Sequence, residues 1–310
     1  MQSRPAVPPI LALAFAILAV STASIFIRLA QENAPSLVIA AGRLTLASVI
    51  LAPIAWTQKR VELRSLNRGE LGLALLSGFF LALHFATWIS SLEYTTVASS
   101  VVLVSTVPLW VALLSPVLLK EPVTRLVLAG MALALIGGTI VGVSDACTWD
   151  AAGLACPSLS DFVRGQAFLG DLLALAGAVT AAGYLLIGRK LRARVSLISY
   201  IFVVYSMAAV VLLVIMFAAG QSLYGYPAQT YLWLLLLALF PQLIGHSTYN
   251  WALGYLSAAY VSIALLGEPI GSTILAYFLL SETPTAFKII GGILILAGIY
   301  VASLSETQQK

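Results

Sequence analysis

The chain reads as an all-α polytopic membrane protein, and three observations predict that class: composition, the length of its apolar runs, and an internal repeat. Of 310 residues, 61% are hydrophobic and 9% charged, against roughly 45–50% and about 25% in a soluble domain. That leaves too little charge to coat a water-facing surface, and a mean hydropathy of +1.01 agrees. With 2 Cys and 23 Gly, disulfide scaffolds, collagen and disorder are excluded too. A helix of about 20 residues crosses the hydrocarbon core.

Ten apolar runs lie at 10–29, 37–56, 71–92, 97–119, 126–143, 172–188, 197–219, 231–253, 257–280 and 289–304. Each predicts one transmembrane helix. Transmembrane strands alternate polar and apolar residues, and these runs do not. The first run is too long for a signal peptide and ends in Arg28 and Leu29 rather than in small cleavage-site residues. Only Arg28, Arg43 and Glu268 carry charge inside the runs.

Lysine and arginine in short loops set orientation. With the N-terminus in the cytoplasm, Arg4, Lys59, Arg60, Arg64, Arg68, Lys120, Arg125, Arg189, Lys190, Arg192, Arg194 and Lys310 fall inside. Only Arg164 and Lys288 fall outside. Both termini are therefore expected to be cytoplasmic, in a plasma membrane (a bacterial inner membrane). The net charge of +4 is this asymmetry, and it calls for no nucleic-acid partner. The outer loop near 144–170 holds both cysteines, Cys147 and Cys156. They read either as a disulfide, in an oxidising compartment, or as two free thiols.

Sliding the chain against itself by 161 residues superposes its halves. Leu92, Tyr94, Ala98, Pro108, Glu121, Thr124, Gly130 and Gly137 meet Leu253, Tyr255, Ala259, Pro269, Glu282, Thr285, Gly291 and Gly298. Apolar bias does not easily produce proline, glutamate, threonine and glycine in one order. The predicted organisation is a first five-helix repeat at 1–144, an extracytoplasmic linker at 145–169 and a second five-helix repeat at 170–310. Five is odd, so the second copy enters from the opposite face and the repeats are inverted. Inverted repeats are typical of secondary transporters, with the binding site near the midplane between the copies.

The pattern Ser91-Leu92-x-Tyr94-Thr95, Pro108, Glu121 and its second copy Ala252-Leu253-x-Tyr255, Glu268-Pro269, Glu282 resembles the EamA family of the drug/metabolite transporter superfamily. Arg43 fits the same pattern. The resemblance covers nearly the whole chain and implies ten helices in two repeats and carriage of small metabolites, often outward. It implies an amino acid or amine as cargo, with uptake or exchange of a cofactor, nucleobase or sugar derivative, or passive facilitation, as the alternative. The reading needs no cofactor.

Glu268, near the middle of its run, is costly in hydrocarbon unless paired, protonated or facing water. It reads as a coupling or substrate site, with protons as the coupling ion, or as a packing carboxylate bonded to a neighbouring hydroxyl. Pro108 and Pro269 each remove a backbone hydrogen bond and predict kinks in spans four and nine that line a central cavity. Arg43 lies roughly 12 Å from the outer end of its helix at ~1.5 Å per residue. It is placed to bind a substrate carboxylate, to pair with Glu268, or to snorkel.

His84 and Trp88 share a helix face in span three, as do His246 and Asn250 in span eight, with Trp251 adjacent. Histidine relays protons and tryptophan stacks rings or cations. Each histidine has the plain alternative of a satisfied bond within the bundle. With Arg43 and Arg28 the only cations inside the spans, the expected cargo is neutral, zwitterionic or cationic. The small residues Ala134, Gly138 and Gly142, and Gly298 and Ala302, suit close helix contact, either within the chain or in a homodimer. His246-x-x-x-Asn250 is similar to a motif of rhomboid proteases, but their Gly-x-Ser-Gly nucleophile motif is absent. No metal-ligand or nucleotide-binding motif appears either, so no catalytic residue is assigned.

Overall fold

A computed structural model describes residues 5, 7–95, 100, 103–146, 148–150, 153–155, 166–280 and 286–308. Its helices are α1 (Pro9–Ser21), α2 (Ala23–Gln31), α3 (Ser36–Gln58), α4 (Arg60–Ser65), α5 (Arg68–Tyr94), α6 (Val107–Leu118) and α7 (Arg125–Ala146). They continue as α8 (Gln166–Arg192), α9 (Leu197–Ala218), α10 (Ala228–Leu237), α11 (Ser247–Ala252), α12 (Ala258–Ala264), α13 (Glu268–Leu280) and α14 (Ala286–Gln308). Cys147 and Cys156 lie outside the described residues.

Six segments, Pro9–Gln31, Ser36–Gln58, Arg68–Tyr94, Phe168–Arg192, Leu197–Ala218 and Ala228–Ala252, are long and apolar enough to cross a membrane. Of the remaining apolar runs, those at 126–143 and 289–304 form the continuous helices α7 and α14, of 22 and 23 residues, and the other two are shorter or interrupted where described. Between α7 and α8 the expected all-helical reading meets one exception. The antiparallel strand pair β1 (Thr148–Asp150) and β2 (Gly153–Ala155) sits there, with Gly153 at φ 113°, a conformation glycine reaches at little cost.

Pro108 and Pro269 break their spans earlier than a simple kink would. Pro108 stands in the first turn of α6, after the turn at 105–106, and Pro269 in the first turn of α13, after a 3₁₀ turn at Leu265–Gly267. Proline has no N–H to give and is at home in a first turn, so each span is two pieces that meet at the proline. A third interruption was not legible in the run pattern. Residues Ala238–His246 form a π-helix between α10 and α11, with Pro241 inside it. The missing proline N–H lets the hydrogen-bond register slip by one residue.

The repeat is visible in the packing. A Cβ on Gly130 would meet the Gly298 carbonyl and stand 2.9 Å from the Ala302 Cβ. One on Gly298 would meet the Gly130 carbonyl and stand 2.9 Å from the Ala134 Cβ. Gly137 meets Gly291 and Ile295 in the same way. As the numbers rise along α7 they fall along α14, so the helices cross antiparallel, backbone against backbone. The contacts also exchange repeat mates, since Gly130 pairs with the mate of Gly137 and Gly137 with the mate of Gly130. For Ala134, Gly298 and Ala302 the small-residue faces are thus spent within the chain. Gly138 has nothing within 4 Å of its Cβ position.

Candidate functional site

One cavity, about 670 Å³ of atom-free space including its mouth, lies where the repeats meet. Its wall includes Arg43, His84, Trp88, Pro108, His246 and Glu268, drawn from spans two, three, four, eight and nine. Tyr184 of α8, Tyr249 of α11 and Val20 of α1 complete the polar and apolar lining. Three of the residues singled out from sequence are not in this wall: Asn250, Trp251 and Pro269. Asn250 is fully buried behind it, donating through Nδ2 to the Tyr184 hydroxyl and to the His246 carbonyl at 2.8 Å. Trp251 points elsewhere and packs on Tyr255, ring centres 4.8 Å apart. Pro269 stands directly behind Glu268 in the chain.

The wall reaches the repeat axis at His246. Phe85 and His246 are repeat mates at the 161-residue offset, and their rings meet edge to face at 5.3 Å. Residues related by a twofold touch one another only at the axis. His84 lies flat against Trp88, centroids 5.7 Å apart and planes within 10°. Its Nδ1 is 3.0 Å from the Gly177 carbonyl. A carbonyl can only accept, so this nitrogen carries the hydrogen. His246 sits edge-on to Tyr249 at 5.8 Å, and its Nδ1 has no hydrogen-bond partner.

Among the described residues, Arg43 is the largest fully buried side chain. It does not snorkel, and no ion pair joins it to Glu268 among the described residues. Its Nε donates to Gln242 Oε1 at 2.9 Å, and the guanidinium lies over the Phe85 ring, 4.2 Å from its centre. Glu268 is half-buried at the start of α13, its Oε1 accepting from the Tyr249 hydroxyl at 3.3 Å. An arginine and a glutamate therefore line one small cavity with no ion pair between them among the described residues.

The charges obey no symmetry. The 161-residue offset puts Val204 opposite Arg43, Val107 opposite Glu268 and Leu81 opposite Gln242. Each repeat keeps one charge where its mate has an aliphatic side chain. Sequence reasoning missed Gln242, Tyr184, Tyr249 and Phe85. Gln242 had a usable signal, because Gln242, His246 and Asn250 recur every fourth residue in an apolar run. The tyrosines and Phe85 had none, since aromatic residues are ordinary in such a span.

At the end of the bundle carrying the basic loops, Arg189, Arg192 and Glu62 find partners. Arg189 Nε meets Glu121 Oε1 at 2.6 Å and its NH1 donates to the Leu253 carbonyl at 2.9 Å. Arg192 Nε donates to the Asn250 carbonyl at 3.0 Å. In the loop helix α4, Glu62 accepts from both the amide and the hydroxyl of Ser196 at 2.6 Å. Burial pushes its carboxyl up, but the Ser196 bonds, Ser199 and Lys59 outweigh it and hold Glu62 below the usual glutamate range.

The model of the EamA-like transporter family matches this chain twice, over residues 7–143 and 168–304. The matches begin 161 residues apart, the offset of the internal repeat. An uncharacterized transporter of Archaeoglobus fulgidus is 24% identical over 291 residues, 92% of this chain and 93% of the relative. One of Clostridium kluyveri is 23% identical over 258 residues, 82% and 78% of the two chains. A solved crystal structure superposes with a TM-score of 0.74 at 19% identity, covering 97% of this chain and 98% of the other; that likeness concerns the fold alone. Matched over nearly its whole length and in both repeats, the chain belongs to the EamA-like transporter family.

Proposed function

We propose that this multi-pass membrane transporter is a secondary carrier that exports a small metabolite of the amino-acid or amine class by alternating access. One observation carries the reading. Arg43 and Glu268, one charge from each repeat, line a single cavity on the repeat axis and make no ion pair with each other. Charges inside a membrane protein are expensive and mark substrate or ion pathways. A scaffold whose halves are inverted copies reaches two states by rocking one copy against the other. The ten-span count, cytoplasmic termini and plasma-membrane location belong to the same reading and rest on the apolar runs and the distribution of basic residues.

Glu268 is the proposed coupling group. It is the one carboxylate in the described wall, and proton uptake there would remove the charge that makes reorientation costly.

A thermal-shift screen of the purified protein against metabolite classes tests the substrate, since a ligand that binds the native state raises its apparent stability. Stabilisation by amino acids or amines is expected. Stabilisation only by organic phosphates or dicarboxylates would overturn the substrate class. In proteoliposomes with an imposed pH gradient, the gradient should drive flux through the wild type and not through Glu268→Gln. Accumulation against the outward direction in oriented vesicles would reverse the export assignment.

A further inference from the structure

The cavity distinguishes between the two cargo classes just named. We infer that Arg43, aimed by Gln242, is a carboxylate-recognising subsite, so that the substrate is an amino-acid zwitterion rather than a simple amine. This rests on the transport reading of the same cavity.

Arg43 carries hydrogens that nothing in the described structure accepts. A guanidinium offers five N–H donors and no acceptor. Gln242 takes the one on Nε, and the Phe85 ring covers one face. NH1 and NH2 are buried and have no hydrogen-bond partner. These two nitrogens form the fork that binds carboxylate in bidentate fashion. The Trp88 indole N–H, donor only, is also buried without a partner in the same wall. The cavity therefore offers unanswered donors around Arg43, while Glu268 offers a carboxylate for a cation. A ligand with a carboxylate and an ammonium answers both.

The repeat frame does not require a charge at the position of Arg43. Val204 occupies the mate position in α9, so the scaffold closes there without a charge. The same holds for Gln242, whose mate in the unbroken helix α5 is Leu81. Gln242 is fully buried and belongs to the π-helix, which has no counterpart in the first repeat. The Tyr205 hydroxyl and the Ser247 hydroxyl both reach the Gln242 carbonyl, at 3.4 and 3.3 Å, and secure the slipped backbone. Gln242 is thus a positioning residue that fixes the guanidinium by its Nε and leaves the fork free. An amine lacking the carboxylate would leave that fork buried and unpaired and would bring a second positive charge into the cavity, which disfavours it.

The test uses matched probes on the purified full-length protein: phenylalanine, phenethylamine and phenylalaninamide, with leucine, 3-methylbutylamine and leucinamide as an aliphatic set. Binding is read as ligand-dependent thermal stabilisation and converted to dissociation constants. In the wild type, at least one amino acid should bind about tenfold or more tightly than its amine and its amide, the scale of one charged hydrogen-bonded contact. Gln242→Leu should weaken the amino acid about tenfold and leave the amine unchanged, whereas loss of a purely structural contact would weaken both. Arg43→Lys, which keeps the charge and loses the fork, should bind the amino acid about tenfold more weakly than wild type and leave the amine unchanged, and an unaltered preference would overturn the role of the fork. Amines binding the wild type as tightly as amino acids would overturn the inference and leave transport of the class intact. Equal weakening of both probes by Gln242→Leu would remove Gln242 from its role. Binding of no probe in either set would overturn the amino-acid and amine reading itself. Should Gln242→Leu fail to fold, the wild-type comparison alone decides the substrate class.

Discussion

The crossing of α7 and α14 keeps the repeat symmetry, and the central cavity breaks it. At the crossing Gly130, Gly137, Gly291 and Gly298 exchange partners across the twofold, each helix offering the same surface to the other. In the cavity, Arg43, Glu268 and Gln242 stand opposite Val204, Val107 and Leu81. The difference teaches what duplication supplies and what it leaves to later change. Backbone contact between helices depends only on the absence of side chains and survives in both copies. On the proposed function, recognition of an asymmetric molecule needs different groups on the two sides, which accounts for a cavity that diverged while the frame around it stayed paired.

Breaking the symmetric region should have the largest effect. Gly130→Leu places a side chain against the Gly298 carbonyl and Ala302, and backbone cannot move aside as a flexible side chain can. A loss of more than about 3 kcal/mol is expected, seen as failure to recover monodisperse protein. Breaking the asymmetric region should do the reverse. Arg43→Met removes a buried charge that has one hydrogen bond, and an apolar replacement of similar length costs little or stabilises. The melting temperature should hold or rise while transport falls about 100-fold or more. A drop in both would make Arg43 part of the frame.

Glu268→Gln sharpens the contrast within the cavity itself. It keeps the shape and one acceptor for Tyr249 while removing the charge. Substrate-dependent stabilisation should weaken, and a pH gradient should no longer drive flux in liposomes. Gly138→Ala tests the other side of the glycine pattern. Nothing lies within 4 Å of its Cβ position, so stability should change by less than about 1 kcal/mol, in the favourable direction that alanine brings to a helix.

The smallest effect belongs to the Glu62–Ser196 tether between α4 and α9. Its carboxyl is held below the ordinary range, so its contribution is present above that range and fades as pH falls through the lowered value. Glu62 is partly open to solvent, and screening leaves less than about 1 kcal/mol. Glu62→Gln should therefore lower the melting temperature slightly at neutral pH, and the difference from wild type should shrink as pH falls through the lowered value.

Legibility from sequence follows the range of the interaction involved. The six long spans coincide with apolar runs to within a few residues, because hydrocarbon length and helix rise leave little choice. Arg43, Glu268, His84 and Trp88 stood out as polar or amphipathic groups in apolar runs, and they share one cavity. What Arg43 touches was not legible. Its partner Gln242 is 199 positions away, and pairing with Glu268 was chemically as reasonable. The π-helix at Ala238–His246 was hidden too, since Pro241 in a run predicts some disturbance but not which hydrogen-bond register replaces the lost one. Asn250 and Trp251 share a span with His246, yet the slipped register and packing turn one behind the wall and the other away from it.

The sequence by itself determined that this is a duplicated, helical membrane chain of a known transporter family, where its apolar runs lie, and which few polar groups sit within them. Those facts are set by composition, by periodicity and by a repeat, all of which are local or additive along the chain. Only the tertiary structure decided that Phe85 and His246 meet on the repeat axis, that α7 closes on α14, and that Arg43 takes Gln242 and leaves its two terminal nitrogens buried and unpaired. Each depends on bringing together residues far apart in the chain, and many pairings are equally allowed until the helices have packed.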